Sequence, residues 1–187
     1  MTSKYIILLL TALLFGCKQE KAKVDYINPA IGAVTYGEKS EDVHGFGKTF
    51  PGAATPFGLV QLSPDTRTGG DNGSGYSWNH KTIEGFSFTH MSGVGWYGDL
   101  GNFLVMPTTG KLHTNKGEDD NPEAGYRSRF SHDDETIKAG YYGVTLSDYG
   151  IKAELTAAPR AGLIRFTFTK NDSSRIQIDL SRRIGGT

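Results

Sequence analysis

Asp65 and Arg67 stand two positions apart in "SPDTR". On an extended segment, residues i and i+2 point to the same side. A carboxylate that accepts and a guanidinium that donates can then grip the adjacent hydroxyls of a sugar ring. The same spacing also suits a surface ion pair, or an Asx-turn at "SPDT". Trp96 lies in "GWYGDLG" between glycines; a ring on such a loop is either a stacking platform for a pyranose or a cap on the core. His90 follows Phe86 and Phe88 in "GFSFTH", a place for a hydrogen-bonded core histidine as much as for a ligand contact. Hydrolysis of a glycoside needs two carboxyls flanking the bond, one of them tuned as an acid. Asp65 and Asp99 are candidates, but their spacing does not pair them. His44, His80, His90, His113 and His132 show no close-paired spacing of the His-x-x-x-His kind, which argues against zinc. There is no Gly-x-Ser-x-Gly elbow, and "GFGKTF" lacks the earlier glycine and following helix of a phosphate-binding loop.

The elements that must hold these residues are strands. "YYGVTLSDYGIKAELTA" alternates twice: Tyr142, Val144 and Leu146 share one face, Ser147 to Gly150 read as a turn, and Ile151, Ala153 and Leu155 resume the inward face. "LIRFTFT" puts Ile164, Phe166 and Phe168 inward, and "RIQIDL" puts Ile176, Ile178 and Leu180 on one face. Shorter candidate strands are Gly58–Leu62, Gly85–His90 and Asn102–Met106. Residues 115–136 read as a polar loop or a pair of edge strands. No long segment has helical periodicity. The fold expected is all-β, an antiparallel multi-stranded β-sandwich. One stretch resists this pattern: "HGFGKTFPGAATPFGLVQLSPDT", residues 44–66, holds four glycines, three prolines and three phenylalanines. It is a poor helix, expected to form a non-regular loop that brings backbone and aromatic edges close to a ligand or a partner domain.

Composition narrows the partners. Lys plus Arg is 20 and Asp plus Glu is 20, so nothing steers the chain towards nucleic acid or an anionic membrane surface. Gly is 25 of 187 residues, nearly double the usual share of roughly 7%. A glycine- and aromatic-rich, charge-balanced chain suits an extracytoplasmic β protein that faces sugar. At the N-terminus, Lys4 precedes the short apolar run Tyr5–Phe15, too short for a comfortable membrane span. Leu14-Phe15-Gly16-Cys17 resembles a bacterial lipobox, which implies cleavage before Cys17 and a lipid anchor on it. Cys17 is the only cysteine, so no intrachain disulfide can form. The expected organisation is a lipoprotein signal peptide (1–16), a polar tether (17–23) and one β-sandwich domain (24–187). The expected location is extracytoplasmic, on a bacterial membrane.

"INPAIGA" (27–33), the stretch from His44 to Thr66, "GYSWNHKTIEGFSFTHMSGVGWYGDLGNFLVMPTTG" (75–110) and "YYGVTLSDYGIKAELTAAPRAGLIRFTF" (141–168) occur in the order of the opening of family 92 glycoside hydrolases. The chain resembles the N-terminal β-sandwich domain of these calcium-dependent, exo-acting α-mannosidases. The resemblance implies an enzyme that releases terminal mannose from α-mannosides, such as N-glycans or mannan, with inversion. Proteins of the family are several times longer than this chain, and the resemblance implies a following (α/α)₆ domain that carries the general acid and base and most calcium contacts. The 187-residue chain is then expected to be inactive alone, with no catalytic residue and no metal ligand of its own. It would bind the α-mannoside oligosaccharide by walling one side of the pocket. Carried over position by position, Phe50, Asp65, Arg67, Trp96 and Asp99 fall near that pocket, and His90 and Asp99 equally suit bracing the loops. Two other readings stay open: a standalone carbohydrate-binding surface lipoprotein without catalysis, and a non-functional remnant with an exposed apolar face.

Overall fold

The computed structural model describes residues 20–34, 49–66, 74–92 and 100–182. Cys17, Arg67, Trp96 and Asp99 lie outside the described residues. Among the described residues there are eleven strands, in chain order: β1 (Ala53–Ala54), β2 (Gln61–Asp65), β3 (Thr82–Ile83), β4 (Gly85–Ser87), β5 (Leu104–Thr108), β6 (Ser128–Arg129), β7 (Thr136–Lys138), β8 (Tyr141–Leu146), β9 (Ile151–Ala158), β10 (Ala161–Thr167) and β11 (Arg175–Asp179). Three short 3-10 turns are the only helical pieces among the described residues. One sheet runs β1-β2-β4-β5-β11, the second β10-β9-β8-β7, and β3 pairs with β6 in a small third layer. Every strand pairing among the described residues is antiparallel. This is the expected all-β, antiparallel sandwich.

The meander of the second half forms as its alternation dictates. Tyr142, Val144 and Leu146 stand opposite Leu155, Ala153 and Ile151, and all six are buried. Gly150, at φ +61°, supplies the left-handed turn between β8 and β9 at little steric cost. Ile164 and Phe166 continue this inner face on β10 opposite Leu155 and Ala153. The first sheet meets it with Leu62 and Phe86; the Phe86 and Phe166 rings lie 5.8 Å apart, tilted. Gly162 is a close approach between layers: a Cβ there would sit 2.6 Å from Leu62 Cδ1.

The first-half strands are shifted or shorter than their sequence signals. A turn closed by Gly58 N–H on the Thr55 carbonyl at 2.9 Å delays β2, which starts at Gln61 rather than Gly58. β4 ends at Ser87, so His90 is not on a strand. Segment 115–136 is more structured than its polarity suggests, burying Tyr126, Arg127, Ser128 and Phe130. In β11, Ile176, Ile178 and Leu180 do share a face, but that face is exposed, at 56%, 61% and 71%. Among the described residues, the second sheet ends at β10, whose Phe166 meets Phe86 of β4, and no described strand lies across β11.

A polar knot sits inside the second sheet's edge. Glu135 accepts hydrogen bonds from the hydroxyls of Tyr76 at 3.1 Å and Tyr142 at 2.5 Å. His132 Nδ1 lies 2.5 Å from the same carboxylate and its Nε2 lies 2.7 Å from the Trp78 carbonyl, so both ends of the ring are held by oxygen. The ring stacks on Trp78 at 3.8 Å. Burial first, then the charge and hydrogen bonds of Glu135, raises the Tyr76 and Tyr142 phenols above their ordinary 10.0. Above that pH the unfolded chain loses phenolic protons that the folded chain retains, so ν_U is below ν_N and stability falls as pH rises. The expected result is a urea midpoint that declines beyond pH 10, with tyrosinate absorbance appearing together with unfolding. In Tyr142→Phe the decline is shallower; a flat midpoint would refute the coupling.

Candidate functional site

The polar face of the first sheet carries the chemistry. Residues opposite each other in an antiparallel pair share a face, so Ser63 and Asp65 on β2 align with Ser87 and Gly85 on β4. Asp65, Ser63 and Ser87 are all fully buried, and buried polar groups need partners. Asp65 Oδ1 lies 2.9 Å from His90 Nε2. His90 Nδ1 donates to the Gln61 carbonyl at 2.7 Å, and Ser87 Oγ lies 3.2 Å from Nε2. Phe50 packs on the same imidazole, with ring centroids 5.4 Å apart. The ring is therefore fixed at both nitrogens and on one side. Asp65 Oδ2 is buried with no hydrogen-bond partner among the described residues.

The chain on either side of Asp65 is pinned. Thr66 N–H donates to the Gly75 carbonyl at 2.8 Å. Its hydroxyl accepts from Ser77 N–H at 2.9 Å and lies 2.7 Å from His80 Nδ1. Thr49 Oγ1, next to Phe50, donates to the Ile31 carbonyl at 2.8 Å.

An ion cluster underlies this pair. Glu84, fully buried, has Arg127 Nη2 at 2.5 Å, Arg182 Nη2 at 2.9 Å and Lys116 Nζ at 3.3 Å. Its N–H also donates to the Asp65 carbonyl at 2.7 Å. Arg182 Nη2 stands 4.0 Å from Asp65 Oδ1. Arg127 reaches on to Asp119, which also accepts from Thr82 Oγ1. The cluster thus joins β2, the start of β4, the strap before β6 and the chain leaving β11.

Of the sequence-derived candidates, the structure brings Phe50, Asp65 and His90 together, while Arg67, Trp96 and Asp99 lie outside the described residues. Asp65 is buried, which removes the solvent-exposed ion pair as an account of it. Glu84, Arg127 and Arg182 were not singled out from sequence; the only local signal is one acid interrupting the apolar run "TIEGF". Among the described residues no group of three or more His, Cys, Asp or Glu could hold a metal ion. Calcium takes six to eight oxygens, whereas Glu84 is surrounded by cations and Asp65 holds His90, so these residues do not fit it. A cavity of about 400 Å³ opens beside Leu104, Met106, Tyr126, Gln177 and Asp179; it includes none of the candidates. A second, of about 270 Å³, lies beside Lys111, His113, Glu123 and Arg127.

Residues 26–187 match the profile described as "Glycosyl hydrolase family 92 N-terminal domain", and the chain belongs to that family. It is similar to a family 92 α-mannosidase of Bacteroides thetaiotaomicron, with 44% identity and a TM-score of 0.79 over 87% of this chain and 20% of that one. The same relative bound to mannoimidazole gives a TM-score of 0.78 at 43% identity, over 86% of this chain and 20% of that one. A family 92 inverting mannosidase of B. thetaiotaomicron VPI-5482 matches at 27% identity and a TM-score of 0.66, over 86% of this chain and 20% of that one. An uncharacterized secreted glycosidase of Arthroderma benhamiae is 31% identical over 68% of this chain and 16% of its own length. The chain therefore spans about a fifth of the solved relatives' length.

Removing one member of a buried ion group leaves the others uncompensated, a loss of about 3–5 kcal/mol. Glu84→Ala is expected to show a loss of that size in urea denaturation. Asp119→Ala, whose side chain is 46% exposed, is expected to show a much smaller one.

Proposed function

We propose that this chain is the N-terminal part of an exo-acting α-mannosidase that releases terminal mannose from α-mannosides, N-glycans or mannan among them, by hydrolysis with inversion. The domain binds carbohydrate and walls the pocket, while the catalytic acid and base belong to an (α/α)₆ domain beyond this chain. The observation that carries the reading is the 44% identity to an α-mannosidase across 87% of this chain. The mannoimidazole complex of that relative supports a mannose-like ligand. Calcium, expected for the full-length enzyme, would be held by donors other than the described residues.

Asp65 is assigned to ligand binding through its second oxygen. A buried carboxylate oxygen without a donor is worth about 1–3 kcal/mol of lost hydrogen bonding. A sugar hydroxyl, or Arg67 aimed at the sugar, supplies that donor. Phe50 and His90 hold the carboxylate in place, and Trp96 and Asp99 complete the wall. Cys17 carries a lipid that keeps the protein extracytoplasmic, at a bacterial membrane; the secreted relative agrees with an extracytoplasmic site. The second reading, a carbohydrate-binding surface lipoprotein without catalysis, is favoured only if the reading frame ends with this chain and the chain alone binds mannose.

In the longer polypeptide, Asp65→Asn is expected to lower kcat/KM for an α-mannoside at least ~10-fold, which is about 1.4 kcal/mol of transition-state stabilisation. The melting temperature, followed in parallel, falls less than that loss would require. An unchanged rate returns Asp65 to a purely structural role. The 187-residue chain by itself is expected to show no turnover with or without calcium; metal-dependent hydrolysis by pure material would contradict the division of labour.

A further inference from the structure

Three segments close around the cavity of about 270 Å³, which none of Phe50, Asp65 and His90 lines. The first is the chain leaving β5. There Gly110 N–H donates to Ser173 Oγ at 3.0 Å and its carbonyl accepts from Arg175 Nη2 at 2.6 Å. The His113 carbonyl accepts from Gln177 Nε2 at 2.8 Å. Lys111 and His113 therefore stand on backbone held by β11 and the turn before it. The second segment is the strap before β6. Gly117 and Gly125 approach so closely there that a Cβ on Gly125 would sit 2.0 Å from Gly117 N, and Arg127 N–H donates to the Lys116 carbonyl at 3.1 Å. The third is the β8–β9 turn, where Asp148 Oδ2 accepts from Arg129 N–H at 2.7 Å and Tyr149 Oη donates to the Tyr126 carbonyl at 3.0 Å. Bonds between segments thus form the cavity in advance of any ligand.

Its chemistry is mixed and balanced. Two cations, Lys111 and Arg127, and two carboxylates, Glu123 and Asp148, line it. Most of this charge is already paired: Arg127 faces Glu84 and Asp119, and Arg129 faces both Glu123 and Asp148. The exceptions are Lys111 and His113, whose side chains have no hydrogen bond or ion pair among the described residues. Glu123 meets Arg129 through Oε1, which leaves Oε2 to accept. Open donors and an open carboxylate oxygen around one cavity are what adjacent hydroxyls need. Tyr149 and Pro122 add apolar surface for the C–H face of a ring. A polyanion finds no excess of positive charge here, and calcium finds carboxylates that already hold Arg129. The volume falls just below the roughly 300–1,000 Å³ of sites that enclose a drug-sized molecule, which suits a single ring.

We propose that this cavity is a second carbohydrate site, which takes one neutral hexopyranose ring of a glycan at a place apart from the wall formed by Asp65, His90 and Phe50. Lys111 and His113 donate to its hydroxyls, Glu123 accepts, and the ring packs on Tyr149. The ligand class follows from the cavity's own chemistry. Only the choice of mannose as first probe rests on the mannosidase reading, so glucose and galactose are tested beside it.

The test uses the longer polypeptide saturated with mannoimidazole, which fills the pocket walled by Asp65. Methyl α-mannoside, methyl α-glucoside and methyl α-galactoside are then titrated, with binding read by saturation-transfer NMR. At least one is expected to bind with a Kd on the order of 1 mM, within reach of a ring of about a dozen heavy atoms. Lys111→Ala combined with His113→Ala is expected to weaken that binding at least ~10-fold through the loss of two donors. The same variant keeps the parent's urea midpoint, since neither side chain has a partner in the fold. Asp65→Asn leaves the binding in place, so failure of mannoimidazole to bind counts against the mannosidase reading and not against this site. Absence of binding by all three hexosides overturns the proposal, as does binding that the double variant leaves intact. Inorganic phosphate bound in place of the hexosides, and lost in the double variant, makes the cavity an anion site and overturns it as well.

Discussion

The first sheet depends on keeping several charges out of water at once. Glu84 is fully buried between Arg127 and Arg182, and Asp65 shares that face, bonded to His90. Each ion alone would be strongly disfavoured away from solvent; together they are tolerable because geometry and additional hydrogen bonds compensate them. Such a group has little freedom. Its members come from β2, the start of β4, the strap before β6 and the chain after β11. Assembling it therefore fixes where these segments lie. The apolar side of the sheet adds cohesion through Leu62 and Phe86, but it does not dictate which polar residues meet.

That constraint explains how a glycine- and proline-laced region can present an ordered site. Loops order poorly unless something holds their backbone. Here Thr49 is tied to the Ile31 carbonyl, Thr66 to Gly75 and Ser77, and His90 to Gln61. Phe50, Asp65 and His90 are thus placed by neighbours on both sides. The chemistry is that of a wall: an oriented carboxylate, a fixed imidazole and an aromatic edge, with no second carboxyl paired for acid–base work among the described residues. In the proposed enzyme this wall would select and hold the terminal sugar while bond cleavage is carried out elsewhere.

Much of the fold was legible because period-two alternation survives wherever one face is buried against a second layer. β8 and β9 follow their sequence pattern residue for residue. The pattern of β11 was equally clear, but alternation reports which side chains share a face and not whether anything covers it; Ile176 and Ile178 are exposed. Strand limits in the first half shifted because Thr55–Gly58 forms a turn, where Phe57 takes a left-handed backbone, φ +56°, that its residue type does not announce. The site was half legible. Asp65 and His90 were picked out separately, and only tertiary structure reveals that they bond to one another. The Glu84–Arg127–Arg182 cluster left almost no trace, since its members are far apart in sequence and charged residues ordinarily mark solvent.

The account stands on the polar face of the first sheet being the ligand-facing wall. The measurement that bears on it most directly is a crystal structure of the longer polypeptide with mannoimidazole bound. The account predicts a hydrogen bond to Asp65 Oδ2, either from a ligand hydroxyl or from an Arg67 guanidinium that itself touches the ligand, with Phe50 and His90 packed behind. A ligand bound with Asp65, Arg67 and Trp96 all out of contact would contradict it.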